Sequence, residues 1–369
     1  MTPAGLYLDA NATEPLRPAA RAAALAALDL LGNPSSVHAE GRAARRVLEA
    51  AREAVAARFG ARPRDVVLTA GGTEANALAV HGLGRGRRVL VGATEHPAVL
   101  AAAGPEAARI PVRPDGTVDP AALEAMLAAG PPALVCLMAA NNETGVLHPV
   151  AEAAEACRRH GALLHVDAVQ AAGRVPVDLA ALGADGLAVS GHKLGGPKGA
   201  GALLLRPGLA LPPLVAGGGQ ERGRRGGTEP LPAIAGLGAA ADAADPASAA
   251  RLAAMRDTIE RQASAIRPDL VIPGAGAPRL PNTTCLALPR APAETQVIAL
   301  DLAGVRVSAG AACSSGKVSA SPVLAAMGLG ALAGNAVRVS IPWNAPEGSA
   351  EAFVAAWAAM QKALSRRAA

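Results

Sequence analysis

From about Arg42 to Arg206 the chain alternates between stretches with apolar residues at helical spacing and short apolar runs bounded by glycine, proline or aspartate. Val47, Ala51, Val55 and Phe59 recur at every fourth position and Gly60 follows, which predicts a helix with one small apolar face and a glycine stop. The runs Val66 to Thr69, Val89 to Gly92, Ala133 to Met138, Ala162 to Val166 and Gly186 to Val189 are too short for helices. Strands covered on both faces have this look, so the pattern predicts an α/β fold around a mainly parallel sheet with helical crossovers. A long amphipathic helix predicted from Asp245 to Ile266 leaves that unit, and three more strands (Thr283 to Leu288, Val305 to Ser308, Val337 to Ile341) mix with helices beyond it. The expected division is a large domain over residues 15–250 and a smaller α+β domain made of 251–369 together with 1–14.

Composition narrows this picture. Hydrophobic residues make up 51% of the 369 positions but aromatics only 1%, so the interior must be built from Ala, Val and Leu. The net charge of +5 comes largely from arginines spread over helix faces, as in 41–58, without the interleaved aromatics of a nucleic-acid surface, and no nucleic-acid partner is expected. The four cysteines, Cys136, Cys157, Cys285 and Cys313, form no CxxC pair, which argues against a disulfide framework or a zinc knuckle and fits a reducing compartment. The first fifteen residues have neither a cationic start nor an apolar core, and no run reaches membrane-spanning length. A cytoplasmic, soluble protein without a metal is expected.

The densest chemistry lies between His165 and Gly201, where one apolar run ends in Asp167 and the next in Ser190-Gly191-His192-Lys193. In a parallel sheet both ends sit at the carboxyl edge, where open α/β sheets bind ligands. A lysine and a carboxylate together there suit pyridoxal 5'-phosphate (PLP): the amine forms a Schiff base with the aldehyde, and the carboxylate pairs with the pyridinium nitrogen. The plainer alternatives are a solvated surface lysine and a strand-end ion pair or helix cap, and Lys198, in a Gly-Pro-Lys-Gly turn, competes with Lys193. Gly71, Gly72 and Thr73 stand between a strand and a helix, where unpaired backbone N–H groups favour an anion such as a phosphate. His96, after another strand end, is placed to stack on a ring and move protons, or to cap a helix. His160, His165 and Cys157 have no metal-ligand spacing and are read as structural. Cys313 lies among Ser, Ala and Gly in a segment expected to be an exposed loop, suited to a nucleophilic thiolate; Cys136 and Cys285, inside apolar runs, are expected in the core.

In combination these motifs resemble the NifS/IscS-type cysteine desulfurases of the class V aminotransferase family, fold-type I PLP enzymes. The likeness runs from YLDANATEPLRP through GNPSSVHAEGR, GGTEANALAV, TEHPAV, NNETG, HVDAVQ, SGHKLGGPKG and GGGQERGRRGGTEP to SAGAACSS and VRVS. It implies Lys193 as the Schiff-base lysine, Asp167 on the pyridine nitrogen, Gln170 on the ring hydroxyl and His96 stacked on the ring. It also implies Gly72, Thr73, Ser190 and His192 around the phosphate, Thr228 reaching the phosphate of a partner subunit, and Asn142 beside the cofactor. Asn33 and Arg338 would take the substrate carboxylate and Cys313 would carry a persulfide. The implied activity converts L-cysteine to L-alanine in a homodimer that passes sulfur to an acceptor or iron–sulfur scaffold protein. The alternative is a PLP lyase or aminotransferase of the same fold in which Cys313 is incidental.

Overall fold

All five apolar runs of the first half form strands, and all five lie in one sheet. The computed structural model describes residues 5–310 and 320–368, without the side chains from 365 onward. In chain order the strands are β1 (Leu6–Tyr7), β2 (Val66–Thr69), β3 (Arg88–Gly92), β4 (Ala108–Ile110), β5 (Ala133–Met138) and β6 (Leu163–Asp167). They continue with β7 (Gly186–Ser190), β8 (Gly201–Leu205), β9 (Thr283–Ala287), β10 (Val305–Arg306), β11 (Ser308–Ala309) and β12 (Ala336–Ser340). The central sheet has the order β2-β8-β7-β6-β5-β3-β4. Every pairing in it is parallel except those of β8, which runs against both its neighbours. This is the expected mainly parallel α/β architecture, and it brings the ends of β2, β3, β5, β6 and β7 to one edge, where β8 begins. The register there places Met138 beside Asp167 and pairs Gly201 with both Thr69 and Ser190.

Helices α1 (Pro18–Leu28), α2 (Ala39–Arg58), α3 (Gly72–Leu83) and α4 (Pro97–Ala103) follow the first turns of the chain. The α2 helix ends as expected at Gly60, whose φ of 70° is left-handed. Of the expected stripe, Ala51, Val55 and Phe59 are buried and Val47 is only partly so, and Ala44 and Leu48 complete the buried face. The helix Leu231–Ala243 packs closely against this face: a Cβ on Gly238 would lie 2.6 Å from the Ala51 Cα. Gly236 and Gly238 are therefore helix spacers. Small side chains replace the missing aromatics by letting backbones meet.

A second apolar core gathers Leu8, Ile259, Leu286, Val337, Phe353 and Trp357. It lies under the antiparallel sheet β11-β12-β9 and the helices Ala249–Ile266 and Ser349–Ala368, and β1 joins β10 in a parallel pair beside it. The backbone from Asn11 to Glu14 leads from this core to the edge of the central sheet, where Glu14 N donates to His192 O at 2.8 Å. Among the described residues no helix is long and apolar enough to cross a membrane. No group of three His, Cys, Asp or Glu among them is arranged to hold a metal ion.

Candidate active site at the carboxyl edge of the sheet

The strand ends and the loops that follow them enclose a cavity of about 170 Å³. Its lining includes Gly72 and Thr73 after β2, His96 after β3, Asn142 after β5, Asp167 and Gln170 after β6, and Ser190, His192 and Lys193 after β7. Nine expected site residues thus meet in one place although they span 122 positions, from 72 to 193. Arg338 lies next to the lining: on β12 it donates to the Asn142 carbonyl at 3.2 Å and pairs with Asp9 at 2.6 Å. Thr228 and Asn33 are not in the lining. Both are exposed, and the Asn33 Oδ1 accepts from Ser35 N at 2.8 Å in its own turn. Cys313 lies outside the described residues, but the described residues on either side of it converge: Ser321 Oγ donates to Glu143 Oε2 at 2.6 Å, and a Cβ on Gly310 would lie 2.6 Å from the same oxygen. Glu143 directly follows the cavity residue Asn142.

Lys193 sits in the one-turn helix Gly191–Leu194 that leaves β7, and Gly195, with φ 84°, closes the turn. Its Nζ donates to the carbonyls of Asn11 and Ala12, the latter at 2.8 Å. Burial, then the charges of Arg174 and Arg338, bring its pKa down to about 7. Near neutrality this amine is therefore partly unprotonated, as a nucleophile requires. Lys198 is exposed in its turn and does not reach the cavity.

Asp167 is buried at the end of β6, where Oδ1 accepts from Val169 N at 2.9 Å and Oδ2 from Asn76 Nδ2 at 2.7 Å. Burial raises its pKa, while those hydrogen bonds and the charges of His96 and Lys193 pull it back. Gln170 is held by two fixed contacts: Oε1 accepts from Arg174, which can only donate, so Nε2 is the edge left to donate, and it reaches the Asn11 carbonyl at 3.0 Å. His96 caps α4, its Nδ1 accepting from Ala98 N at 3.1 Å, and it lines the cavity. Burial lowers its pKa, Asp167 opposing and Lys193 reinforcing the shift. His192 Nδ1 lies 3.1 Å from Thr13 Oγ1, and burial, Lys193, Lys198 and Arg174 bring it to about 4. The α3 N-terminus abuts the cavity closely enough that a Cβ on Gly72 would meet Val169 Cγ2 at 2.7 Å.

The aminotransferase class-V family matches this chain over residues 6–353. The chain belongs to that family. Among curated class-V relatives, a cysteine desulfurase of Cereibacter sphaeroides is 46% identical over 337 residues, 87% of this chain and 86% of its own length. An IscS-like cysteine desulfurase of Mycobacterium tuberculosis is 38% identical over 367 residues, 94% of this chain and 93% of its own. Among solved structures, a NifS-like protein from Rickettsia africae superposes with a TM-score of 0.90 at 32% identity, over 97% of this chain and 99% of that one. The fold is thus that of the fold-type I PLP enzymes, and class-V membership makes PLP the cofactor.

The donor set fits that cofactor. Asp167 is a buried acceptor with no cation in hydrogen-bonding contact among the described residues, Gln170 offers a donor, Lys193 an amine, and α3 begins with close, unencumbered backbone. Sequence reasoning missed Asn76, Arg174 and Glu143. The spacings Thr73 to Asn76 and Gln170 to Arg174, three and four residues on helical or turn backbone, were the available signals.

Proposed function

We propose that the protein is a PLP-dependent cysteine desulfurase that converts L-cysteine to L-alanine and carries the abstracted sulfur as a persulfide on Cys313. The observation that supports this most is the meeting of Lys193, Asp167, Gln170 and His96 in one cavity at the sheet edge, in a chain whose relatives bear that name. When bound, PLP supplies an aldehyde for amines and a ring that draws electrons from the substrate Cα. Asp167 would hold the positive charge on the ring nitrogen, Gln170 would donate to the ring hydroxyl, His96 would cover the ring, and Asn142 would lie beside it. Gly72, Thr73, Ser190 and His192 would bind the phosphate. Lys193, with its pKa near 7, would hold the cofactor and then take and return the Cα proton. The Cys313 thiolate attacks the substrate sulfur; the new S–S bond forms as the Cβ–S bond breaks, and its electron pair stays on the carbon skeleton, which is protonated and leaves as alanine.

The wider reading places residues 15–250 in the PLP-binding domain, with 1–14 and 251–369 in the smaller one that carries Cys313. Asn33 and Arg338 would bind the substrate carboxylate, Arg338 by exchanging Asp9 for it. The exposed Thr228 follows Arg225, which pairs with Glu74 of α3 at 2.9 Å, and would reach a partner's phosphate in a homodimer. A monomeric solution mass with full cofactor content would contradict that. A sulfur acceptor or iron–sulfur scaffold in the cytoplasm would take the product sulfur, and persulfide transfer to such a protein is the corresponding assay. The activity itself is tested by feeding L-cysteine to the loaded protein: the reading expects alanine and sulfide in equal amounts under a reductant, whereas pyruvate and ammonia would identify a lyase.

A further inference from the structure

We infer that His165 and Asn76 are positioning residues that fix the Asp167 carboxylate toward the ring nitrogen of the cofactor, through a relay leading from the cavity wall, which Asn76 helps to line, back to His165. The inference rests on the reading that Asp167 faces that nitrogen. His165 and Asp167 are two apart on β6 and so face the same side of the sheet. Helix α3 crosses that side and brings Asn76 between them, one turn beyond Gly72 and Thr73. His165 Nε2 lies 2.8 Å from Asn76 Oδ1, and Asn76 Nδ2 lies 2.7 Å from Asp167 Oδ2. The relay is dry: the three residues are 0%, 2% and 6% exposed.

Chemistry leaves one arrangement of protons. An ionised carboxylate only accepts, so the Asn76 amide must turn its NH2 to Asp167 and its oxygen to His165. His165 must then donate from Nε2 to the Asn76 oxygen. A flipped amide would set two acceptors against each other at hydrogen-bond distance. Burial holds His165 at about 4, so the ring stays neutral and the relay does not itself titrate near pH 7. The other ionisable groups facing Asp167 do not do this work. His96 and Lys193 lie on the cavity side, while burial pushes the pKa values of Glu95 and Cys136 well up, toward their uncharged forms. Without the relay, the Val169 N–H is the one hydrogen bond that fixes the carboxylate among the described residues.

The test is the protonation of the ring nitrogen, read by NMR of protein loaded with PLP carrying nitrogen-15 in the ring. His165→Leu and, independently, Asn76→Ala are expected to move the signal toward the neutral form, lowering the apparent pKa of the ring nitrogen by about one to two units. His165→Gln, which keeps a donor facing Asn76, is expected to retain the wild-type signal. A wild-type signal in both His165→Leu and Asn76→Ala, with native thermal unfolding, overturns the relay, and so does a His165→Gln signal matching that of His165→Leu. Asp167→Asn separates the two levels of the argument. If it too leaves the signal unchanged, Asp167 does not face the nitrogen and the site reading falls; if it alone shifts the signal, only the relay fails.

Discussion

The pKa of Lys193 is open to direct measurement in the cofactor-free protein. The structure brings it from 10.5 to about 7, chiefly through burial, which corresponds to disfavouring the ammonium by on the order of 5 kcal/mol. The sign for stability follows: between about pH 7 and pH 10.5 the unfolded chain holds a proton that the fold has lost, so this residue makes stability rise with pH across that window. Competitive acetylation from about pH 5 to pH 11, with peptide mass spectrometry, reads the amine alone. The chain has only four lysines, at 193, 198, 317 and 362, and exposed Lys198 serves as the internal reference. Labelling of Lys193 should rise around pH 7. Arg338→Gln removes one of the two positive charges that lower it and frees Asp9, which raises it. One charge at several ångströms and an effective dielectric near 20 is worth about one pH unit, so the midpoint should move up by about that much. A Lys193 midpoint above about 9 in the wild type, or a fall in Arg338→Gln, would refute the reasoning.

Other outcomes follow from the same geometry. Arg52 binds both oxygens of Glu221, at 2.6 and 2.8 Å, with both side chains buried. Arg52→Met therefore strands a buried carboxylate and should cost about 3–5 kcal/mol in denaturant unfolding, with partial recovery on adding Glu221→Gln; a loss below about 1 kcal/mol would count against this. Lys193→Ala should remove the visible absorption of the bound cofactor and Lys198→Ala should leave it; the reverse result would exchange their roles.

Much of this was readable beforehand because it rests on local pattern. β2 and β5 have the bounds of their apolar runs, Val66–Thr69 and Ala133–Met138, since strands buried on both faces tolerate no polar interruption. β4 gave no such signal: it is a three-residue edge strand with two exposed positions. β1 is two residues long and exists through β10, almost three hundred positions away. The cavity residues were legible because strand ends with polar side chains converge once the sheet is parallel. Their supports were not. Asn76 is one of four polar residues on α3, with Thr73, Glu74 and His81, and its meaning comes from His165 and Asp167, 89 and 91 positions on. Glu221 adopts a left-handed φ of 49°, held where Arg52 and the Leu68 N–H meet its carboxylate, a tertiary fact with no local mark.

The central claim is that the sulfur of cysteine moves to one thiol of this chain, and the described cysteines are unfit for it. Cys136, Cys157 and Cys285 are buried, and burial raises all three pKa values, Cys157 and Cys285 to about 12. Thiolate is the attacking form, and the proposal assigns that role to Cys313. The measurement is mass spectrometry of the loaded protein after a short exposure to L-cysteine, with peptide mapping, beside the Cys313→Ser variant. The account predicts one added sulfur on Cys313 in the wild type, and in Cys313→Ser an unchanged visible spectrum before cysteine, no added sulfur and essentially no alanine. Near wild-type alanine production by Cys313→Ser, or a persulfide mapped to Cys136, Cys157 or Cys285, would contradict it.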